Sequence, residues 1–221
     1  MRRLILFVIL GLVACGTVQA QVIEPCIDCG NLRNFLENPS FEDIAVPTDP
    51  DPVDPTDAAD WNEFSSLPDS TSTRQTIMPR TGLAHMALEA VGANQFAGVF
   101  QANTAAVSPG QIVTLSGWHK WVAGMATREL KIEWVGAPQT RVDTIETGPM
   151  LDYEEFCLTA IAPAGTTGVT ATYAVSTFGA GQTEALVYLD DMTLCIIPEP
   201  ASITLVGLAV LGLVGIRRRS K

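Results

Sequence analysis

Short apolar or β-branched runs, separated by turn residues, make up the central part of this 221-residue chain. Runs of this kind that recur roughly every ten residues are typical of a sandwich of two sheets. Outside the two chain ends, no window has the apolar spacing of a helix. The sequence therefore predicts an all-β fold, a β-sandwich of about nine to ten antiparallel strands. The predicted strands are Phe35–Glu42, Arg74–Met78, His85–Val91, Phe96–Gln101, Gln111–Val122, Glu129–Val135, Glu154–Ile161, Gly168–Ser176 and Glu184–Cys195.

The N-terminus has the three parts of an export signal. Met1-Arg2-Arg3 is a basic start, Leu4 to Ala14 is apolar, and Val18-Gln19-Ala20 offers small residues for cleavage. We predict a signal peptide at residues 1–20 and a mature chain that begins at Gln21. The alternative is a lipobox at Leu12-Val13-Ala14-Cys15, which would leave a lipidated Cys15 at the N-terminus.

The C-terminus has a second three-part pattern. Pro198-Glu199-Pro200 precedes an uncharged apolar run at residues 201–216, and Arg217-Arg218-Arg219 follow it. The run is at the short end for a spanning helix, which usually needs about 20 residues, and the arginines fit a cytoplasmic flank. The segment 197–221 resembles the PEP-CTERM sorting signal of bacterial surface proteins. That resemblance implies processing near Pro198–Pro200 by an exosortase-type protease. The alternatives are a permanent tail anchor and a terminal core helix.

These two signals predict a route for the chain. The protein is exported, held transiently in the inner membrane, and then found at the cell surface or in the extracellular matrix. Without the signals, residues 21–198 keep 7 basic and 23 acidic residues, a formal charge of −16. Such a charge repels phosphate backbones, so we expect no nucleic acid partner. About 178 residues suit one domain, which we place at 21–196.

Four cysteines remain in the mature chain: Cys26, Cys29, Cys157 and Cys195. An even number in an exported protein predicts two disulfides. We favour bonds from the N-terminal pair to Cys157 and Cys195, because a Cys26–Cys29 bond would close too small a loop to stabilise much. The alternative for Cys26 and Cys29 is a redox pair or half of a zinc site.

One segment, at residues 46–60, is rich in Asp and Pro and repeats an Asp-Pro unit. Proline fixes φ and removes a hydrogen-bond donor, so the segment cannot lie inside a strand. We predict an exposed, extended loop. Its carboxylates could attract Ca²⁺, but without glycine the chain cannot wrap an ion as an EF-hand loop does.

An ordered set of motifs resembles the jelly-roll carbohydrate-binding modules of the CBM4/9/22 type, within the galactose-binding-like folds. The resemblance covers about residues 34–195 and implies a jelly-roll sandwich. The motifs are the opening Leu36-Glu37-Asn38-Pro39-Ser40-Phe41-Glu42, then Gly82-Leu83-Ala84-His85-Met86-Ala87-Leu88, Thr114-Leu115-Ser116-Gly117-Trp118 and the closing Val187-Tyr188-Leu189-Asp190-Asp191.

The same resemblance implies a structural Ca²⁺ held by Glu42 and Asp190, with backbone carbonyls near Gly82 to His85. The family often has a further acidic residue just before that glycine. Here Arg80 and Thr81 stand at those positions, which would weaken the site.

A sugar site is predicted from strand parity. Ser116, Trp118 and Lys120 alternate with the apolar Val113, Leu115 and Trp121, so Trp118 would lie among polar groups on an outer face. An indole can stack on the C–H face of a sugar, with Gln101 and Glu133 as polar neighbours on adjacent strands. In the alternative, Trp118 covers the sandwich edge or is buried by a loop.

The sequence contains no HExxH, no GxSxG and no phosphate-binding glycine loop, so we expect no enzyme. Two functions remain. In the first, an exported surface protein binds polysaccharide non-catalytically, in exopolysaccharide or a biofilm matrix. In the second, a structural or adhesive matrix protein has the same fold and no sugar site.

Overall fold

The computed structural model describes residues 26–44, 57–66, 68–138 and 140–197. The predicted signal peptide, most of the Asp-Pro loop and the predicted spanning segment 201–216 lie outside the described residues. The described residues include no helix long and apolar enough to cross a membrane. The described residues form nine antiparallel strands: β1 (Asn62–Ser65), β2 (Thr71–Gln75), β3 (His85–Val91), β4 (Phe96–Ala106), β5 (Ile112–Val135), β6 (Thr140–Thr147), β7 (Glu154–Ile161), β8 (Gly168–Ser176) and β9 (Glu184–Ile197).

The strands make two sheets that share β5. In sheet I the order is β7-β5-β9-β3-β2, formed with the first half of β5. In sheet II the order is β1-β4-β8-β5-β6, formed with the second half. The predicted all-β jelly-roll sandwich is therefore confirmed.

Strand β5 changes sheets at Gly124. Its pairing with β9 ends at Met125, and its pairing with β6 begins at Ala126. Gly124 has a φ of +74°, and a Cβ there would lie 2.0 Å from the carbonyl oxygen of Glu184. Glycine thus permits both the bend and the close approach of β9. Two predicted strands, Gln111–Val122 and Glu129–Val135, are in fact parts of this one strand.

Alternation places the core between the sheets. Val113, Leu115 and Trp121 face inward from the first half of β5, and Leu130 and Ile132 face inward from the second. All five side chains are fully buried, as their parity predicts.

Two other predicted strands need correction, and two strands were missed. The predicted strand Arg74–Met78 lies earlier in the chain, at Thr71–Gln75. Residues 35–42 form turns instead of a strand, because Asn38 and Phe41 have positive φ values of 42° and 56°. Strands β1 and β6 were not predicted. Strand β1 has only four residues, and β6 is an edge strand whose residues are half-buried or exposed, so neither shows an apolar run.

Candidate functional site

Trp118 lies on the outer face of sheet I with Ser116 and Lys120, as predicted. Its ring is half-buried, because the guanidinium of Arg80 stacks over it with its central carbon 3.8 Å from the ring centroid. Arg80 also forms an ion pair with Asp191. The face that the sequence predicted for sugar stacking is therefore occupied by a side chain of the protein itself.

Arg80 belongs to a segment that we call the strap, residues 80–84, which crosses the outer face of sheet I. The buried carboxylate of Asp190 accepts hydrogen bonds from the backbone amides of Arg80 and Thr81, at 2.8 and 3.2 Å. Glu42 accepts them from the amides of Leu83 and Ala84. Glycine at position 82 permits the close approach of Glu42 to the strap, because a Cβ there would lie 1.9 Å from a carboxylate oxygen of Glu42.

The adjacent residues Asp190 and Asp191, which both contact the strap, have pKa values shifted in opposite directions. Burial raises the pKa of Asp190 to about 6, against the hydrogen bond from the Thr81 amide. Burial alone would also raise the pKa of Asp191, but hydrogen bonds from Ser40, Thr81 and Arg80, with the charge of Arg80, lower it. The pKa of Asp190 is thus raised, and the pKa of the adjacent Asp191 is lowered.

The arrangement around Glu42 and Asp190 does not fit the predicted Ca²⁺ ion. Calcium takes about six to eight oxygen ligands. Here each of the two carboxylates instead accepts hydrogen bonds from backbone N–H groups of the strap. No group of three or more His, Cys, Asp or Glu side chains among the described residues could hold a metal. The strap's amides occupy the positions where a cation would need oxygen atoms.

Two of the other predicted sugar-site residues, Gln101 and Glu133, lie in sheet II, apart from Trp118. Gln101 is buried, and its side-chain amide exchanges two hydrogen bonds with the backbone of Glu37. It therefore ties the N-terminal segment to β4. Glu133 lies on the outer face of sheet II, while Ser116 lines a separate cavity of about 340 Å³ beside Cys26–Asp28 and β7. The expectation that Gln101 and Glu133 neighbour Trp118 on adjacent strands is wrong.

The larger cavity is a groove of about 490 Å³ on the outer face of sheet II. Four strands line it, because cross-strand partners share a face: Phe64 comes from β1, Phe100 from β4, Thr172 from β8, and Lys131 and Glu133 from β5. The rings of Phe64 and Phe100 are 6.1 Å apart at their centroids. Ala102, Trp134 and Val135 extend this apolar side of the groove, and Lys131, Glu133, Thr170 and Thr172 form its polar side.

The polar side of the groove is held in place by its own contacts. The hydroxyl of Thr172 donates to Glu133 at 2.7 Å, and the ammonium group of Lys131 pairs with Glu129 at 2.7 Å. Only Glu133 was among the sequence-predicted site residues. Phe64 was missed because it lies on the unpredicted β1, and Phe100, although it lies on a predicted strand, was not assigned to the site.

Both predicted disulfides are present, as Cys26–Cys157 and Cys29–Cys195, each with Cα atoms 6.0 Å apart. They join the N-terminal segment to β7 and β9. The preferred pairing of the N-terminal cysteines with the two distant ones is therefore confirmed.

Residues 197–219 match the PEP-CTERM protein-sorting motif. The chain is thus an exported protein with a C-terminal membrane-anchoring sorting signal, and the motif implies processing by an exosortase. A search of curated protein sequences found no match.

Several solved structures resemble the sandwich. An arabinose-bound MgGH51 α-L-arabinofuranosidase matches with a TM-score of 0.52 at 12% identity, over 76% of this chain and 27% of that one. A bacteriophage CBA120 tailspike protein matches with a TM-score of 0.50 at 16% identity, over 74% and 21%. The module TmCBM61, solved with β-1,4-galactotriose, matches with a TM-score of 0.49 at 17% identity, over 73% and 97%. This chain spans about a quarter or less of the first two proteins.

The likenesses to the arabinofuranosidase and the tailspike protein show a shared fold. The solved structures similar to this chain include non-catalytic carbohydrate-binding modules and also parts of enzymes.

Proposed function

We propose that this protein binds polysaccharide non-catalytically, through the groove on the outer face of sheet II. The observation that carries the proposal is the pairing of Phe64 and Phe100 with the polar Thr172 and Glu133 across one open groove. A sugar ring has apolar C–H faces and hydroxyls that need fixed partners. The groove offers both kinds of contact within one cavity.

Local packing supports an aromatic platform. Phe64 lies over Gly98 of β4, where a Cβ would come within 2.4 Å of its ring. Both Phe64 and Phe100 stay half-exposed at the groove. Because they are held by the sheet beneath, these rings lose little conformational entropy when they stack on a ligand.

The charges of the groove favour a neutral glycan. The charged residues of the groove lining are Lys131 and Glu133, one of each sign, and Lys131 is also paired with Glu129, so the groove offers no net positive charge to an acidic ligand. The hydrogen bond from Thr172 fixes the carboxylate of Glu133, whose oxygens can accept a further hydrogen bond from a sugar hydroxyl. Acidic polysaccharides would be repelled by the acidic mature chain as a whole.

Affinity electrophoresis against neutral and acidic polysaccharides tests the proposal. A site of two rings and a few hydrogen bonds should bind with a Kd between about 10 μM and 1 mM. Phe100→Ala should weaken binding about 10- to 100-fold, because it removes buried apolar area. Thr172→Val, which keeps the shape of the side chain, should weaken it less.

Trp118→Ala is the matched control, since it removes an aromatic side chain from sheet I. Loss of binding in Trp118→Ala with normal binding in Phe100→Ala would place the site on sheet I. If the wild type binds no polysaccharide, the protein is better described as a structural or adhesive matrix protein. Retention of the mature protein in exopolysaccharide or a biofilm matrix belongs to the same proposal.

A further inference from the structure

One end of the sandwich, which we call the exit end, lies where the chain leaves the fold. In sheet I it is formed by Ile112, Ile161 and Ile197, which are aligned across β5, β7 and β9. In sheet II it is formed by the ends of β4, β5 and the start of β8. Three loops connect these strand ends, at residues 107–111, 136–138 and 162–167.

The three loops form one bonded surface. The amide of Gly110 donates to the carbonyl of Ala162 at 2.8 Å, and the amide of Val107 donates to the carbonyl of Thr167. Gly136 lies against Gly165, where a Cβ would meet the Gly165 carbonyl at 2.6 Å. The exit end is therefore a connected rim and not a set of separate loop tips.

The exit end carries no charge, although the mature chain is strongly acidic. There is no Lys, Arg, Asp or Glu at residues 105–118, 134–138, 157–175 or 192–197, whereas Asp69 and Glu184 lie at the opposite end of the sandwich. The nearest charged residues along the adjoining strands are Glu133 and Arg141, and Asp28 and Arg33 lie on the N-terminal segment that the disulfides hold beside sheet I. Exposed positions of the rim include Pro109, Pro138 and Ala164.

The sorting motif begins at Ile197, the last residue of β9. Only Pro198, Glu199 and Pro200 separate the folded domain from the apolar run. Three residues span at most about 10 Å, which is close to the Debye length of about 8 Å at physiological ionic strength. While the anchor is in the membrane, the exit end must therefore lie close to the lipid headgroups.

We propose that the exit end is a membrane-apposed surface, on which the domain rests against the lipid headgroups while its anchor is intact. A charged side chain pressed against the bilayer would lose hydration at a large cost. The uncharged rim avoids that cost and places the acidic surfaces farther from the membrane. The proposal depends on the sorting motif and the fold and is independent of glycan binding.

Spin labels on the full chain in phosphatidylcholine vesicles test the proposal. The matched variants are Ala164→Cys at the exit end and Ala180→Cys in the β8–β9 loop at the opposite end, both exposed alanines. A strand of nine residues holds the two ends about 30 Å apart. A nickel-chelating lipid should relax the label at 164 several-fold more than the label at 180. The parent chain without an added cysteine gives the background signal.

Equal relaxation at the two positions would overturn the proposal, since it means that the two ends of the sandwich are on average equally far from the membrane. Spin–spin broadening between labels at position 164 of two molecules, without relaxation by the nickel lipid, would assign the rim to a contact with a second copy instead. In vesicles with phosphatidylglycerol, Ala164→Glu should lower the contact, and Ala180→Glu should not. Equal effects of the two glutamates would also contradict the proposal.

Discussion

At the scale of single residues, Arg80 controls access to Trp118. Its guanidinium stacks on the indole and pairs with Asp191, and its backbone amide donates to Asp190. A cation–π contact of this kind contributes about 0.5–2 kcal/mol. The half-exposed ion pair adds little by itself, so the strap depends mainly on its buried carboxylate contacts.

The first prediction concerns the pH dependence of Asp190. Its pKa in the folded protein, about 6, lies above the ordinary value. The protonated carboxyl therefore contributes stability that is fully present below about pH 4 and is lost as the pH rises through the folded pKa. Between about pH 5 and about pH 7, the unfolding free energy of the wild type should fall by on the order of 1–3 kcal/mol relative to that of Asp190→Asn. The Tm of the wild type should fall with it. Parallel Tm curves for the two proteins would contradict it.

The same unfolding experiment, repeated with EDTA and with added Ca²⁺, tests the predicted calcium site. Because strap amides already satisfy Glu42 and Asp190, we expect neither addition to change the Tm. A rise in Tm with Ca²⁺ would show that the ion binds the folded state and that the strap rearranges around it.

At the scale of elements, β5 decides the architecture, because its two halves belong to different sheets. The corner at Gly124 brings Ser116 and Trp118 to sheet I and Lys131 and Glu133 to sheet II. The side chain of Trp121 closes the corner by donating to the carbonyl of Gly124 at 3.1 Å. A bend in one strand thus separates the two candidate binding faces.

The second prediction follows from this corner. Gly124→Ala should destabilise the fold by about 4 kcal/mol or more, because the Cβ would collide with the backbone of Glu184. Gly110→Ala is the control, since Gly110 has a similar φ of +90° and no atom within 4 Å of the added Cβ. It should cost only about 1–2 kcal/mol for the left-handed conformation. Urea unfolding of both variants gives the comparison, and equal costs would show that φ alone sets the requirement for glycine.

At the scale of the whole molecule, the fold ends where the sorting signal begins. The disulfide Cys29–Cys195 closes the domain two residues before Ile197, and the motif starts at that residue. Cleavage near Pro198–Pro200 would therefore remove the anchor without touching a strand. The folded domain can leave the membrane intact.

The third prediction is that the mature surface protein lacks the residues beyond about Glu199, since the PEP-CTERM motif implies exosortase processing. Intact-mass measurement of the surface-exposed protein, compared with the membrane fraction, gives the result. Recovery of Arg217 to Lys221 in the surface pool would make the segment a permanent anchor instead.

The sequence by itself determined the features that depend on neighbouring residues. Alternation along the chain placed Leu115 and Ile132 in the core, because successive side chains of a strand point to opposite faces. The sorting signal could be read in the same way, since its three parts are consecutive. The cysteine count and export predicted two disulfides, because an oxidising compartment pairs exposed thiols.

Only the tertiary structure decided which distant residues meet. The groove combines residues of β1, β4, β8 and β5, and parity cannot tell which strands are neighbours. Parity placed Trp118 on an outer face but could not show that Arg80, 38 positions earlier, would cover it. Parity also could not show that β5 bends at Gly124 and belongs to both sheets. These outcomes depend on strand order and close packing, which contacts between residues far apart in the sequence establish.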